Sequence, residues 1–350
     1  MSWRDGQRPL DLRRGRIELA HGAGGRAALQ LVEELFLPAL DNPALRALDD
    51  GAVLDAPPGH RLVVATDGHV VSPLFFPGGD IGSLAVHGTI NDVAMMGAMP
   101  LALSASFVLE EGLPLAELQR VALSMGRAAR EAGVPVVAGD TKVVQRGKGD
   151  GVFIATTGVG ALPASRRLGA ALLRPGDALL LSGPIGQHGV AVLSQRESLG
   201  FESDLCSDCA ALHGLVAALL AAVPEGAVHA LRDPTRGGVA ALLHEFARAA
   251  GVGIEIEEAA LPVPPAVRAA CELLGLEPLQ LANEGRLVAA VAPAFAGAAL
   301  AALRAHPLGR DAVSIGHAVD DPHRFVQMRT RLGGHRLVEW PTGEALPRIC

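Results

Sequence analysis

Five aspartates stand in turns flanked by glycine or threonine, each at the end of an apolar run: Asp50, Asp67, Asp92, Asp140 and Asp233. Magnesium prefers hard oxygen ligands and binds nucleotides through one or two carboxylates together with the phosphates. Carboxylates gathered in one place repel each other unless a cation lies between them. If these turns converge, the sequence therefore predicts a divalent-metal site. Taken singly, each aspartate is equally typical of a residue that forms a turn or caps a helix.

Two glycine-rich loops run into helices, AHGAGGRAA near the start and RDPTRGG in the second half. Free backbone N–H groups at such a helix start can bind phosphate, although neither loop follows the Walker A or dinucleotide pattern. With Lys142 beside Asp140, the loops favour nucleotide and metal binding. The predicted nucleotide-binding residues are His21, Gly22, Gly24, Gly25, Asn91, Thr141, Arg236, Gly237 and Gly238.

The sequence ends in LPRIC, with a cysteine at position 350. A thiol there braces no core and is exposed to oxidation, which indicates either an accident of the chain end or a working group. Residues 331–350 have no helical period and hold two prolines and three glycines, so we expect a flexible tail. Twenty extended residues reach about 60 Å. Cys206 and Cys209 form a lone CxxC, which is weak evidence for zinc or disulfide exchange and is also typical of ordinary cysteines beside a helix.

Composition narrows the class of protein. A formal net charge of -7 argues against binding nucleic acid, which requires clustered Lys and Arg. The opening residues predict no secretion signal, and four cysteines in 350 residues do not make a disulfide framework, so we expect a cytoplasmic protein. The longest apolar run, residues 287–303, is interrupted by Pro293 and Gly297. It predicts a buried strand, a turn and a packed helix rather than a membrane span.

Strand and helix patterns alternate along most of the chain, and 350 residues are enough for two domains. A turn-rich segment around RPGD separates the two halves. We predict a solvated arm over residues 1–16, an N-terminal domain over 17–165, a C-terminal α/β domain over 166–330 and the flexible tail over 331–350.

Several of these motifs resemble the ATP-using superfamily of aminoimidazole ribonucleotide (AIR) synthetase, selenophosphate synthetase and thiamine-phosphate kinase: DDGAV, GTINDVAMMGAMP, GDTKVVQRG and LRDPTRGGVAALLHEFA. Within it, HGAGG, FVLEEGLP, LANEG and PRIC are similar to the HypE family of hydrogenase maturation factors, from about Ile17 to Cys350. The resemblance implies an α+β class, two-domain PurM-like fold. Its N-terminal ATP-binding α+β domain dimerises into a shared β-barrel, and its C-terminal domain is α/β.

The resemblance also implies an activity, with ATP and Mg²⁺ as cofactors. A carbamoyltransferase, HypF, loads the sulfur of the last cysteine, Cys350, and ATP-dependent dehydration turns the thiocarboxamide into a thiocyanate. The cyano group then passes to iron on a HypC–HypD complex, and the five aspartates are the candidate magnesium ligands. An alternative is another synthetase or kinase of the superfamily, similar to selenophosphate synthetase, which needs no terminal thiol.

Removal of the nitrogen protons needs a base, and Glu284 and Lys142 are our hypotheses because each lies in a polar turn among apolar strands. Glu284 has a structural alternative as a capping carboxylate paired with Arg286. For Lys142, a phosphate contact is the alternative role.

Overall fold

The computed structural model describes residues 8–23, 25–48, 51–196, 205–341 and 348–349. The strands are β1 (His60–His69), β2 (Phe75–Phe76), β3 (Gly79–Asp80), β4 (Met99–Glu110), β5 (Val136–Val144), β6 (Val152–Pro163), β7 (Ala178–Leu181), β8 (Val228–Arg232), β9 (Gly253–Glu257), β10 (Val288–Val291), β11 (Val313–Val319), β12 (Val326–Arg329) and β13 (His335–Leu337). The α-helices are α1 (Gly25–Leu31), α2 (Leu37–Leu40), α3 (Pro43–Arg46), α4 (Ile81–Met95), α5 (Leu115–Ala132), α6 (Gln187–Arg196), α7 (His213–Ala222), α8 (Gly238–Ala250), α9 (Pro265–Leu274) and α10 (Ala296–Ala305). A π-helical segment, Val32–Phe36, joins α1 to α2. Within the described residues, no helix is long and apolar enough to cross a membrane.

The N-terminal sheet has the strand order β1-β6-β4-β5, with β4 and β5 parallel and the other pairs antiparallel. Alternation along β1 turns Val63, Ala65 and His69 toward the helices and leaves Leu62 and Val64 exposed on the other face. Helix α4 packs on β1, β6 and β4, and α5 packs on α4. One face of this sheet therefore belongs to the core and the other is open.

Helix α4 begins where its sequence provides a strong cap. The Asp80 side chain accepts hydrogen bonds from the backbone N–H groups of Gly82 and Ser83, at 2.8 and 3.0 Å. The Ser83 hydroxyl lies 3.0 Å from the Asp80 backbone nitrogen and accepts from it, which completes a capping box. The cap fixes the start of the helix that carries Asp92.

The C-terminal sheet has the order β13-β12-β9-β11-β7-β10-β8, antiparallel except for the β9–β12 pair. The alternating helix and strand pattern predicted this domain but not the direction of its strand pairs. Helix α8 packs one apolar cluster and helices α7 and α10 another. The run at 287–303 is confirmed as a buried strand (β10), a turn at Pro293–Phe295 and a packed helix (α10).

The arm predicted over residues 1–16 differs from a loose segment in the residues that the structure describes. Leu10 and Leu12 pack against the N-terminal core, and the Leu10 N–H donates to the Glu34 carboxylate at 2.7 Å. Arg13 and Arg14 are exposed, as the charge pattern predicted. Two leucines among the arginines are enough to anchor the segment.

The predicted tail also begins as ordered structure. β13 pairs with β12, Val338 is buried, and its carbonyl accepts from His244 Nε2 at 2.9 Å. The His244 ring stacks on Trp340 with centroids 4.9 Å apart. Because β13 is an edge strand with exposed side chains, its pairing rests on backbone bonds, which a hydrophobic pattern does not reveal.

Candidate active site

An acidic cluster forms where the two domains meet. Asp67 lies on the helix-facing side of β1, and Asp92 lies on α4, which crosses that strand. Asp233 directly follows β8, and Glu284 lies in the loop before β10. Asp233 and Glu284 are only 9% and 2% exposed. We call Asp67, Asp92, Asp233 and Glu284 the acidic cluster.

The pKa values show that these carboxylates share one environment. Burial, and then the charges of Asp233 and Asp67, raise the pKa of Asp92 to about 7. Burial raises the pKa of Asp233 to about 6, and Asp67 adds to this. Burial, followed by Asp233 and other carboxylates, raises the pKa of Glu284 well above its usual value. The predicted convergence therefore occurs for three of the five aspartates, together with Glu284.

Glu284 has no hydrogen-bond partner for its Oε1 atom among the described residues. Arg286 instead lies 3.5 Å from Asp208 and donates to the carbonyl of Pro184 at 2.8 Å. Arg286 therefore pairs with Asp208 rather than with Glu284. The alternative of Glu284 as a capping carboxylate paired with Arg286 is wrong. A buried carboxylate with an unpaired oxygen is costly unless a ligand or a proton meets it.

The second glycine loop reaches this cluster. Gly237 and Gly238 have φ of 76° and 61° at the start of α8, and a Cβ on Gly238 would lie 2.4 Å from the Leu279 carbonyl oxygen. The charge of Arg236 acts on the carboxylate of Asp92. Arg236 therefore lies where a phosphate near the carboxylates would need a cation, whereas the Gly238 N–H already donates to the Thr235 carbonyl at 2.9 Å.

The first glycine loop lies elsewhere, against the edge strand β5. It lines a cavity of about 350 Å³, which we call the β5 cavity, whose walls include His21, Gly22, Val32, Leu45, Phe107 and Thr141. Gly22 approaches β5 so closely that a Cβ would lie 2.4 Å from the Val143 nitrogen. Asp140 and Lys142 also line the cavity, and its other walls are apolar residues of the α1–α3 region and of strands β4 and β5. Gly25 begins α1 with φ of 75°.

Asp140 does not join the acidic cluster within one chain. β1 and β5 are opposite edges of the sheet, and two intervening strands separate them by about 14 Å. Asp67 is in register with Gly139 across the sheet, so Asp140 points to the opposite face. Its carboxylate is 2.7 Å from Lys142 Nζ, whose hydrogen bond lowers the pKa of Asp140. The prediction of one five-aspartate site is wrong on this point because strand order, not motif similarity, sets the distance.

Asn91 is also not available for a nucleotide in the way predicted. It is fully buried, and its amide donates to the carbonyls of Ala210 and Glu284 at 3.0 and 3.2 Å. Its side-chain oxygen accepts from Leu212 N–H at 2.7 Å. Asn91 therefore joins α4 to two loops of the other domain. Three further predicted residues, Gly24, Asp50 and Cys350, lie outside the described residues.

The donor set suits magnesium bound together with a nucleotide. Across the residues that the structure describes, no group of three His, Cys, Asp or Glu side chains could hold a metal ion. Magnesium in nucleotide sites needs only one or two carboxylates because phosphates and water supply the remaining oxygens. The raised pKa values of Asp92 and Asp233 are what a cation between them would relieve.

Sequence reasoning missed three polar residues around the cluster. His69 is buried 3.7 Å from Asp67, and the inward alternation of β1 was the signal that could have found it. Asp208 has a fully buried carboxylate whose Oδ2 atom lies 3.5 Å from Arg286 Nε and has no hydrogen-bond partner among the described residues. His188 donates to the Ile349 carbonyl near the chain end, which no sequence pattern indicates.

The lone CxxC pair does not form a reactive site. The Cys209 thiol is 3.3 Å from His87 Nδ1, and burial raises the pKa of Cys209, which makes it a poor nucleophile.

The comparisons with known proteins agree with the resemblance. The AIR synthase related protein family matches twice, its N-terminal domain over residues 48–162 and its C-terminal domain over 174–329. The carbamoyl dehydratase HypE of Cupriavidus necator H16 is 63% identical over 98% of this chain and 97% of the relative.

Two solved structures extend the comparison. A HypE structure in complex with ATP has a TM-score of 0.90 at 49% identity and covers 95% of this chain and 99% of that one. A structure of a HypE–HypF complex has a TM-score of 0.78 at 47% identity over 89% of this chain and 99% of that one.

Proposed function

The chain belongs to the AIR synthase related family and, within it, to the HypE carbamoyl dehydratases, and from that premise we propose that its acidic cluster dehydrates a carbamoyl group carried on Cys350. The substrate is a thiocarboxamide and the product a thiocyanate, which supplies the cyanide ligands of [NiFe]-hydrogenase. ATP is the second substrate, as the ATP-bound relative supports.

The observation that carries this proposal is the position of Ile349. It is buried at the junction of the domains, and its carbonyl accepts from His188 Nε2 at 2.8 Å. His188 Nδ1 lies 2.8 Å from the hydroxyl of Ser207. The next residue, Asp208, accepts from Glu284 N–H at 3.2 Å. Cys350 follows Ile349 directly in the sequence, and we propose that its sulfur reacts at this junction.

The chemistry needs an activated oxygen and a base. An amide oxygen leaves poorly, and its phosphorylation converts it into a phosphate leaving group. Asp67, Asp92 and Asp233 would hold magnesium, which spreads the charge of the transferred phosphoryl group when bound. Glu284 accepts one nitrogen proton when the oxygen is phosphorylated, and the second leaves with the phosphate as the carbon–nitrogen triple bond forms. Burial raises the pKa of Glu284, which makes its carboxylate a stronger base.

The β5 cavity supplies a place for the nucleoside. Its volume and apolar walls suit a planar base, and Thr141 and Lys142 offer polar groups at the rim. Lys142 has an exposed ammonium beside Asp140, so we assign it to a phosphate rather than to proton transfer.

A second copy of the chain joins the two regions. Within the described residues, β1 and β5 each pair on one side only, and the open face exposes Leu62 and Val64. Two four-stranded sheets that close into a barrel remove both free edges and bury that face. In such a homodimer, β1 of one copy lies beside β5 of the other. The strand that carries Asp140 and Lys142 in one copy then adjoins the strand that carries Asp67 in the other.

The remaining partners follow from the reaction. Cys350 must receive its carbamoyl group from a donor, for which the HypE–HypF complex supports HypF. The cyano group then needs an iron acceptor, which we assign to a HypC–HypD complex. All these steps belong in a reducing compartment, the cytoplasm, because a free thiol is the carrier.

Mass spectrometry of the C-terminal peptide tests the function directly. Endoproteinase Glu-C cleaves after Glu344 and releases ALPRIC. Incubation with the carbamoyl donor adds a carbamoyl group to this peptide, and ATP then removes the mass of one water. ATP turnover that needs neither Cys350 nor the donor would instead identify a synthetase or kinase acting on a free substrate.

A further inference from the structure

The last two described residues are held by contacts on three sides. The Ile349 side chain, 5% exposed, packs in an apolar cluster that includes Val192 of α6 and Ala282 before β10. The Arg348 carbonyl accepts from the Ser72 N–H at 3.2 Å and from the Arg196 guanidinium. The Arg348 side chain lies 2.7 Å from Asp150. The chain end is therefore docked rather than free.

Arg348 turns the chain inward at this point. Its φ of 57° lies in the left-handed region, which costs a non-glycine residue about 1 kcal/mol or more. The contacts of its carbonyl and its guanidinium with three other segments hold this conformation in place. These contacts therefore fix the direction of the chain from Arg348 to Ile349 independently of the hydrogen bond between His188 and the Ile349 carbonyl.

His188 makes the last contact before Cys350. Because a carbonyl only accepts, Nε2 carries the ring proton, and Nδ1 therefore accepts from the Ser207 hydroxyl. The ring is fully buried, and the Phe76 ring meets it edge-on with centroids 5.4 Å apart. Burial lowers the pKa of His188, which keeps the ring neutral with this single tautomer. The Ser207 hydroxyl is fixed in turn, since it accepts from the Cys209 N–H at 3.1 Å.

We propose that His188, oriented by Ser207, is a positioning residue that holds the Ile349 carbonyl and thereby keeps the Cys350 thiocarboxamide at the acidic cluster during dehydration. This inference rests on the proposed function for its catalytic consequence but not for the docking itself. Ser207 directly precedes Asp208, which bonds to Glu284, so one loop supports both the docked end and the proposed base.

The two half-reactions should respond to His188 in opposite ways. Loading of the sulfur requires the chain end to leave its docked position, whereas dehydration requires it to stay. A weaker contact therefore leaves carbamoyl loading unchanged or faster and slows the ATP-dependent step. A loss of folded protein would slow both steps alike.

The first experiment measures docking alone, with neither ATP nor donor present. Full-length protein is treated with iodoacetamide, and alkylation of Cys350 is followed on the Glu-C peptide. We expect His188→Ala to raise the alkylation rate about 3- to 10-fold, the value of one or two lost hydrogen bonds. His60→Ala is the matched control, because His60 Nδ1 also bonds a backbone carbonyl, that of Pro58 at 2.9 Å, on an exposed surface. Equal rates in His188→Ala and wild type would overturn the docking role.

The second experiment separates the half-reactions. In His188→Ala loaded by the donor, we expect single-turnover dehydration to fall about 3- to 10-fold while loading is not slowed. His188→Gln, whose amide can donate from near the Nε2 position, should recover most of the dehydration rate. Ser207→Ala is a milder second variant, with a smaller effect in the same direction, and serves if His188→Ala folds poorly. Loading and dehydration that fall by the same factor would refute positioning, even if increased alkylation had upheld docking.

Discussion

The acidic cluster and the Asp140–Lys142 pair carry the same kind of sequence motif but have opposite electrostatics. Burial and neighbouring carboxylates raise the pKa of Asp92 to about 7. Asp140 is exposed, and a lysine lowers its pKa. An aspartate of this motif type thus becomes a cation-seeking group only where a second domain covers it and adds further carboxylates. The comparison teaches that the covering domain, not the motif, makes the chemical site.

The largest effect should come from the buried side of this comparison. Asp92→Asn removes one carboxylate of the proposed magnesium site, so we expect ATP-dependent dehydration to fall about 100-fold or more. Carbamoyl loading should persist, because it needs only the thiol. The Glu-C peptide reports both steps, with Asp55→Asn as an exposed control. Dehydration at the wild-type rate in Asp92→Asn would remove the cluster from the mechanism.

A complementation test asks whether the two regions are halves of one site. Lys142→Ala alone should reduce dehydration at limiting ATP about 10-fold, the loss of one charge-assisted contact. When the Lys142→Ala and Asp92→Asn variants are co-expressed, random pairing gives half of the dimers one intact site. About a quarter of wild-type activity should then be restored. Activity no higher than the average of the two variants would show that each chain works alone.

Glu284→Gln should uncouple stability from activity. The folded-state pKa of Glu284 is raised, so the protonated form stabilises the fold, and that stabilisation is lost as the pH rises above the unfolded value near 4.5. Glutamine does not titrate, so we expect the variant to be more stable than wild type by about 1–2 kcal/mol at pH 8 and by less at pH 5.

Denaturant unfolding at the two pH values measures this difference, and Glu225→Gln, at an exposed position, is the control. The same variant should bind ATP but form little thiocyanate. A stability difference that does not change with pH would contradict the raised pKa of Glu284. Normal thiocyanate formation in the variant would exclude Glu284 as the base.

The smallest effect should be that of Asp140→Asn on stability. Its pair with Lys142 is exposed and screened by solvent, so we expect the free energy of unfolding to change by less than about 1 kcal/mol. Unfolding in low and high salt checks this expectation. A larger loss would contradict the solvent screening of this pair.

The sequence predicts the site in outline because its evidence is local. The motifs single out the residues that meet, although the predicted turns are wrong for Asp67, which lies within β1, and for Asp92, which lies within α4. Only Asp233 directly follows its strand, while the apolar run around Pro293 gives the strand, the turn and the helix in order. Strand order is not local, and it separates Asp140 from the others. Asn91 shows the same limit, since a polar residue next to a candidate ligand can equally be consumed by backbone groups of a distant loop.

The stacking of Trp340 on His244 sets a radius of action for the thiol. With Val338 and Trp340 anchored to the second domain, eight residues lie between Pro341 and Cys350. The chain from Pro341 to Cys350 therefore spans about 30 Å rather than the 60 Å of a wholly free segment. Every protein that loads or unloads the sulfur must bring its own centre inside that sphere. The carbamoyl donor and the cyano acceptor would then compete for overlapping positions near Cys350. Such competition favours sequential binding of the two partners over a stable ternary complex.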